Sequence, residues 1–303
     1  MKEALRTCAT LEDFEKMLTN WPKPMGVEAN FGVIDASGGA AYYETSNFSF
    51  KKIDANDPAA APSGYLIRTN FSFTGAEDKG YGYIRYMTAA ALLDQAAARQ
   101  DLSCQFLLQK VSRSLKHSLL DTDLMGRTDL SEDHPCFVGF EDYIPRHSSV
   151  AAMAIQGVRS GEPADLSTAW TLLGFPLCAA AVPVWVSAAP LLPSITAADE
   201  SGNAPLCQLA LQLKRRCYPI SRGSGDKYIN LAALVNKQQT GIMQKLPEID
   251  NLMFKMGEAS LLKWRSKNRI DKNEVKHLYQ EISALVLEKY KEFFNASLLP
   301  ADF

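Results

Sequence analysis

The feature that most constrains this chain is a pair of β-forming runs hinged on glycine. Phe31 to Ala36 and Ala40 to Ser46 are rich in β-branched and aromatic residues, and between them stands Ser37-Gly38-Gly39. Paired glycines supply the positive-φ positions that a tight reversal needs, so the two runs are expected to form an antiparallel hairpin. A polar loop with Asp54, Asn56 and Asp57 follows, then a third run, Tyr65 to Arg68, read as a strand that delivers Thr69-Asn70 at its end. Asn70 is therefore a candidate for a polar group held at a rigid position.

The elements around this unit are helical on one side and mixed on the other. Thr10 with Asp13 three residues on has the form of a capping box, with Leu11, Phe14 and Leu18 following at helical spacing. Tyr81 to Gln100 reads as the next helix, its stripe formed by Ile84, Met87, Ala91 and Gln95. Asp101 is expected to cap another through Leu115. The polar stretch from His117 to His134 reads as loop. Strands are expected in Ser148 to Val158 and, as a pair broken at Gly174-Phe175-Pro176, in Thr168 to Ala189. Pro183 cannot donate to a ladder and should sit at a sheet edge or bulge. Leu246 to Trp264 and a long final helix capped by Asp271 and Glu274 complete the chain. Helices, strands, helices, strands and helices in this order predict an α+β arrangement of antiparallel strands covered by helices. One domain over 1–303 is expected, with sheet and helical layers in 1–190 and a loop plus C-terminal helices in 191–303.

Composition narrows the function classes. A formal net charge of -2 with 4 histidines gives no clustered cationic footprint, so no nucleic-acid partner is expected. No apolar stretch approaches the ~20 residues of a membrane span. The 6 cysteines are scattered without a CxxC pair or a histidine at ligand spacing, so no metal site is expected and most read as small buried hydrophobes. Ser221 to Lys227 lacks the spacing of a phosphate loop, and neither a nucleophile elbow nor a zinc-protease or kinase signature occurs. No cofactor is expected.

The stretch GVIDASGGAAYYETSNFSFKKIDAND, followed by GYLIRTNFSF, resembles the acyl-CoA:6-aminopenicillanic acid acyltransferase family. That family is a branch of the N-terminal-nucleophile hydrolases related to choloylglycine hydrolases. The resemblance begins with the helix at Thr10 and runs through Arg68-Thr69-Asn70 to the helix Tyr83-Ile84-Arg85-Tyr86-Met87. It covers about the first third of the chain, and the strands after Ser148 and around Trp170 are compatible with it.

The resemblance implies a four-layer αββα sandwich that cleaves or transfers acyl groups at linear amide C–N bonds. Its nucleophile is an N-terminal cysteine that also serves as base through its own α-amine. Asn70 matches the asparagine whose side-chain amide donates to the developing oxyanion, a kind of donor whose removal costs ~10²–10³ in kcat. Its alternative is a turn residue bonding its own backbone. Arg85 matches the helix arginine kept near the active site, the alternative being a surface arginine with its stem along the sheet. Arg146 is a lesser candidate. Expected partners are a small-molecule amide and, beyond it, the chain's own N-terminal segment or a second copy. Penicillins, N-acyl amino acids, bile-acid conjugates and small peptides all suit the family.

Met1 is followed by Lys2, and the nucleophilic strand of the family belongs upstream of the helix with which this sequence opens. Cys8 has no free α-amine and precedes a helix, so it does not match the nucleophile. The expectation is a sandwich incomplete at its N-terminus, inactive as residues 1–303 alone, with catalysis restored by an upstream segment. The alternative is a binding or structural protein that keeps the sheet. Two compartments stay open at this point: cytoplasmic for the sequence as it stands, periplasmic or extracellular if an upstream segment carries a signal peptide.

Overall fold

A computed structural model describes residues 1–76, 79–127, 129–200 and 202–298. The fold is α+β, combining long helices with antiparallel sheets of two and three strands. The chain divides into two compact units. The first is Met1–Leu102 with Gly157–Ala164, and the second is Ser103–Gln156 with Asp165–Phe303.

The first unit opens with α1 (Lys2–Thr7) and α2 (Leu11–Asn20). The expected capping box is present: the Thr10 hydroxyl accepts from the Asp13 amide at 3.2 Å, and Asp13 Oδ2 accepts from the Thr10 amide at 3.1 Å. Strands β1 (Ala29–Ile34) and β2 (Ala40–Thr45) form the predicted hairpin, with Phe31 opposite Tyr43 and Asn30 opposite Glu44. Gly38 turns the chain at φ +93°, a conformation costly to any residue with a Cβ. Asp35 holds the turn, accepting from the Ser37 and Gly39 amides at 2.9 Å each and from the Leu11 amide at 3.0 Å. The reversal is thereby tied to the start of α2.

Alternation assigns the two faces of this sheet. Tyr43, Phe31 and Phe50 point to α2, where Leu11, Phe14 and Leu18 form a core with them. Phe14 meets Tyr43 edge-on at 5.0 Å, and the Tyr43 hydroxyl donates to Glu15 at 2.9 Å. Cys8 and Met17 pack on the same cluster. Asn30, Tyr42 and Glu44 occupy the opposite face.

The third strand is not Tyr65 to Arg68. It is β3 (Phe50–Asp54), which completes the order β1-β2-β3, while Tyr65 to Arg68 pairs with no strand. Phe50-Lys51-Lys52-Ile53-Asp54 carries three charges and only two apolar residues, so it reads as loop; Lys52 is accommodated because Glu15 receives it at 2.9 Å. The helix α3 (Tyr83–Ala98) forms where expected, but on a different face. Thr88, Ala89, Leu92, Leu93 and Ala96 are buried, whereas Met87, Ala91 and Gln95 are exposed. In a helix this rich in alanine, one stripe contrasts little with the next, so periodicity does not single out the core side.

The second unit begins with α4 (Cys104–Phe106), continued as a π-helical turn through Val111. Its cap is Ser103, whose hydroxyl accepts from the Phe106 amide at 3.1 Å, in place of Asp101. The segment read as loop contains a two-residue hairpin, β4 (Lys116–His117) with β5 (Thr122–Asp123). β6 (Phe137–Gly139) pairs with the much later β10 (Tyr228–Asn230). The main sheet runs β7-β8-β9, from β7 (Ala151–Gln156), β8 (Thr168–Leu173) and β9 (Val182–Val184). Pro183 lies in β9, an edge strand, as its missing N–H requires.

Helices α5 (Pro205–Cys217), α6 (Ile242–Lys267) and α7 (Lys272–Phe294) complete this unit. Asp271 caps α7 by accepting from the Asn273 and Glu274 amides. α6 packs on the sheet where Trp170 stacks on Phe254 at 4.1 Å, and Gly257 leaves room for the Trp170 ring. α5 had no counterpart in the sequence reading.

Between β8 and β9 the chain is irregular yet fully buried from Leu177 to Ala181, up to the first residue of β9. A buried irregular segment must find partners for its backbone groups, and the side chains of Arg113, of Asp250 in α6 and of Tyr290 in α7 provide them. Arg113 donates to the carbonyls of Pro176 at 2.8 Å and Ala179 at 2.6 Å. Tyr290 accepts from the Ala180 amide and donates to the Cys178 carbonyl, both at 2.8 Å. Asp250 accepts from the Ala181 amide at 2.8 Å and forms an ion pair with Arg113, both side chains being wholly buried.

Candidate functional site

The site grows from the sheet face opposite α2. Asn30 and Glu44, cross-strand partners on that face, both reach the segment from Arg68 to Thr74. The Asn30 amide donates to the carbonyls of Thr69 at 3.0 Å and Phe71 at 2.9 Å, one on each side of Asn70. Glu44 accepts from the Phe73 amide at 3.1 Å, the Thr74 amide at 2.9 Å, the Thr74 hydroxyl at 2.5 Å and Arg68 Nε at 2.6 Å.

Burial pushes the Glu44 carboxyl up, but the Thr74 hydroxyl, the two amides and Arg68 outweigh it and hold the group below its ordinary value. The Arg68 guanidinium also lies over the Phe73 ring, 4.6 Å from its centroid.

Asn70 closes this segment onto α3. Its carbonyl accepts from the Tyr81 amide at 3.0 Å, an isolated bridge in place of the expected strand end. Gly82 then starts α3 in the left-handed conformation at φ +83°, and a Cβ there would collide with the Arg85 guanidinium. Arg85 is thus laid back over the helix start, where its Nη2 donates to Asn70 Oδ1 at 2.6 Å.

This bond joins the two residues singled out from the sequence and decides the orientation of the amide. Arginine only donates, so the atom facing it must be the carbonyl oxygen. The Asn70 Nδ2 group is left as an exposed donor with no partner among the described residues.

Aromatic rings cluster on the residues that follow Asn70 and on the first turn of α3. Phe71 meets Tyr83 at 5.9 Å and Tyr86 at 5.6 Å, Phe73 meets Tyr86 at 5.6 Å, and Tyr81 and Tyr83 are largely exposed. The Thr69 hydroxyl is buried with no hydrogen-bond partner among the described residues. Chemically the arrangement can direct a neutral N–H at a negative oxygen beside an apolar rim.

Other candidates lie elsewhere. Cys8, the only cysteine of this unit, packs with the α2 core on the opposite face. Arg146 belongs to the second unit, where its backbone amide donates to the Ser149 hydroxyl at 3.1 Å. An apolar cavity of about 380 Å³ in the second unit is lined by Ile195, Pro205, Leu287, Leu298 and Asp199 among others, and by none of the residues above.

Among the described residues no group of three or more His, Cys, Asp or Glu is placed to hold a metal ion, and no helix is long and apolar enough to cross a membrane. The sequence reading missed Asn30, Glu44 and Gly82. The signal available for Glu44 was a carboxylate inside an otherwise apolar strand.

Compared with known proteins, the chain matches no family model, no curated protein and no solved structure.

Proposed function

We propose that Asn70 and Arg85 form the oxyanion-binding half of a cysteine N-terminal-nucleophile hydrolase or acyltransferase acting on linear amide C–N bonds. In this reading the nucleophilic cysteine comes from outside residues 1–303, attacks the amide carbonyl and is acylated. Asn70 Nδ2 donates to the oxygen as it becomes negative, and Arg85 fixes the amide so that it need not reorganise. The reading carries with it the four-layer αββα sandwich of that family.

The observation that supports it most is the Arg85–Asn70 bond, which presents Nδ2 outward from a segment clamped by Asn30 and Glu44. The test is amide cleavage by the native protein, with whatever segment precedes Met1, on penicillin V, an N-acyl amino acid and a glycine-conjugated bile acid. Release of the amine, with an acyl group on an N-terminal cysteine in quenched samples, supports the proposal. Failure to acylate on all of them rejects it.

The exposed Asn70 donor also suits a second reading, in which the same surface binds an amide without cleaving it. Saturable binding that Asn70→Ala weakens, without turnover, would favour that one.

A further inference from the structure

Cys178 and Cys217 stand apart from the other cysteines. Cys178 lies in the buried irregular segment after β8, and Cys217 is the last residue of α5. Their sulfurs face each other at 3.8 Å with both residues wholly buried. Among the described residues no other two thiols are in contact. The segment bearing Cys178 is held from several sides, its carbonyl accepting from Tyr290 and its neighbours' carbonyls from Arg113. The sulfurs therefore need to close by only roughly 1.8 Å to reach bonding distance, within the range of a side-chain rotation.

We propose that Cys178 and Cys217 form an intramolecular disulfide when the protein meets a low-molecular-weight disulfide oxidant, tying the end of α5 to the buried segment. One cysteine loses its proton and attacks a sulfur of glutathione disulfide. A mixed disulfide forms, and the departing thiolate takes up a proton as glutathione. The second cysteine then loses its proton and attacks the protein sulfur of the mixed disulfide, releasing a second glutathione. Two protein thiols are oxidised and one glutathione disulfide is reduced to two thiols. Burial holds the Cys178 thiol well above its ordinary range, so reaction waits on local opening and the cross-link forms slowly from the folded state. Once formed, it closes a loop across a separation of 39 residues and restrains the unfolded chain.

The experiment incubates the full chain with glutathione disulfide a few degrees below its unfolding midpoint, alkylates remaining thiols under denaturing conditions, and maps peptides without reduction. The expected result is a linked peptide pair containing Cys178 and Cys217, an intact mass two hydrogens lighter, and a midpoint higher by roughly 5 °C or more that reverts on reduction. Recovery of both cysteines as alkylated peptides overturns the proposal, as does recovery as separate glutathione adducts or linkage to other cysteines. A midpoint that stays the same or falls after linkage also overturns it. Cys217→Ser should leave Cys178 as an alkylated thiol or a glutathione adduct. The wild-type peptide map decides the matter even if that variant does not fold.

Discussion

An asparagine amide is a useful oxyanion donor only if the correct end faces the substrate, and in the proposed site the bond from Arg85 to Asn70 Oδ1 fixes which end is presented. Arg85→Ala should let the Asn70 amide rotate, lowering the acylation rate of the native protein with little change in substrate affinity; rapid-quench rates set against binding constants would separate the two. Arg85→Lys should restore only part of the rate, because an ammonium lacks the planar reach of the guanidinium. Glu44 gives a pH prediction at the same scale. Its folded-state value lies below the ordinary 4.5, so its contribution is complete above that pH and is lost as pH falls through the lower folded value. Glu44→Gln should therefore be less stable than wild type at pH 7, and the gap in thermal midpoint should close below about pH 4.5. A gap that stays constant down to pH 3 would remove the ionised carboxylate from the account. Asn70 and Arg85 were legible because each sits in a local motif. Asn30 and Glu44 were not, since their role depends on strand register and on a segment that lies 30 residues beyond Glu44 and 39 beyond Asn30.

At the scale of elements, local signals carried far when the answer was local. The Thr10 and Asp271 caps and the Gly38 reversal depend on residues a few positions apart, and all three formed where expected. β3 and the buried side of α3 were misread because partners distant in sequence decide them: Glu15 for Lys52, and the surroundings of Leu92 for the helix. The junction of α6 and α7 offers a direct check. Bonds from Lys263, Trp264 and Lys267 hold the Glu274 carboxyl down to about 2. The stability it gives is present above its ordinary 4.5 and lost as pH falls toward about 2, so Glu274→Gln should flatten the acid limb of helical unfolding followed by circular dichroism. At the contact of α6 with β8, a Cβ on Gly257 would stand 2.5 Å from a Trp170 ring carbon. Gly257→Ala should cost about 1–3 kcal/mol despite its better helix propensity, as read from denaturant midpoints. A stabilised variant would mean that the ring has room to move.

For the whole molecule, the least legible feature is the buried stretch from Leu177 to Val182, since nothing in a run of small residues announces that Arg113, Asp250 and Tyr290 will converge on it. Arg113→Ala would leave Asp250 as an unpaired buried charge and two carbonyls without their donor. A loss of about 3–5 kcal/mol is expected by chemical denaturation, and a change within error would contradict the network's role. The central claim concerns the first unit: the Asn70 amide, oriented by Arg85, receives the negative oxygen of an amide-cleaving reaction. Single-turnover acylation of the native protein, comparing wild type with Asn70→Ala on the best amide of the panel, tests it most directly. The account predicts a rate lower by about 10²–10³ with the acyl group on the same cysteine and substrate affinity nearly unchanged. Equal rates, or a loss that appears entirely in affinity, would contradict it.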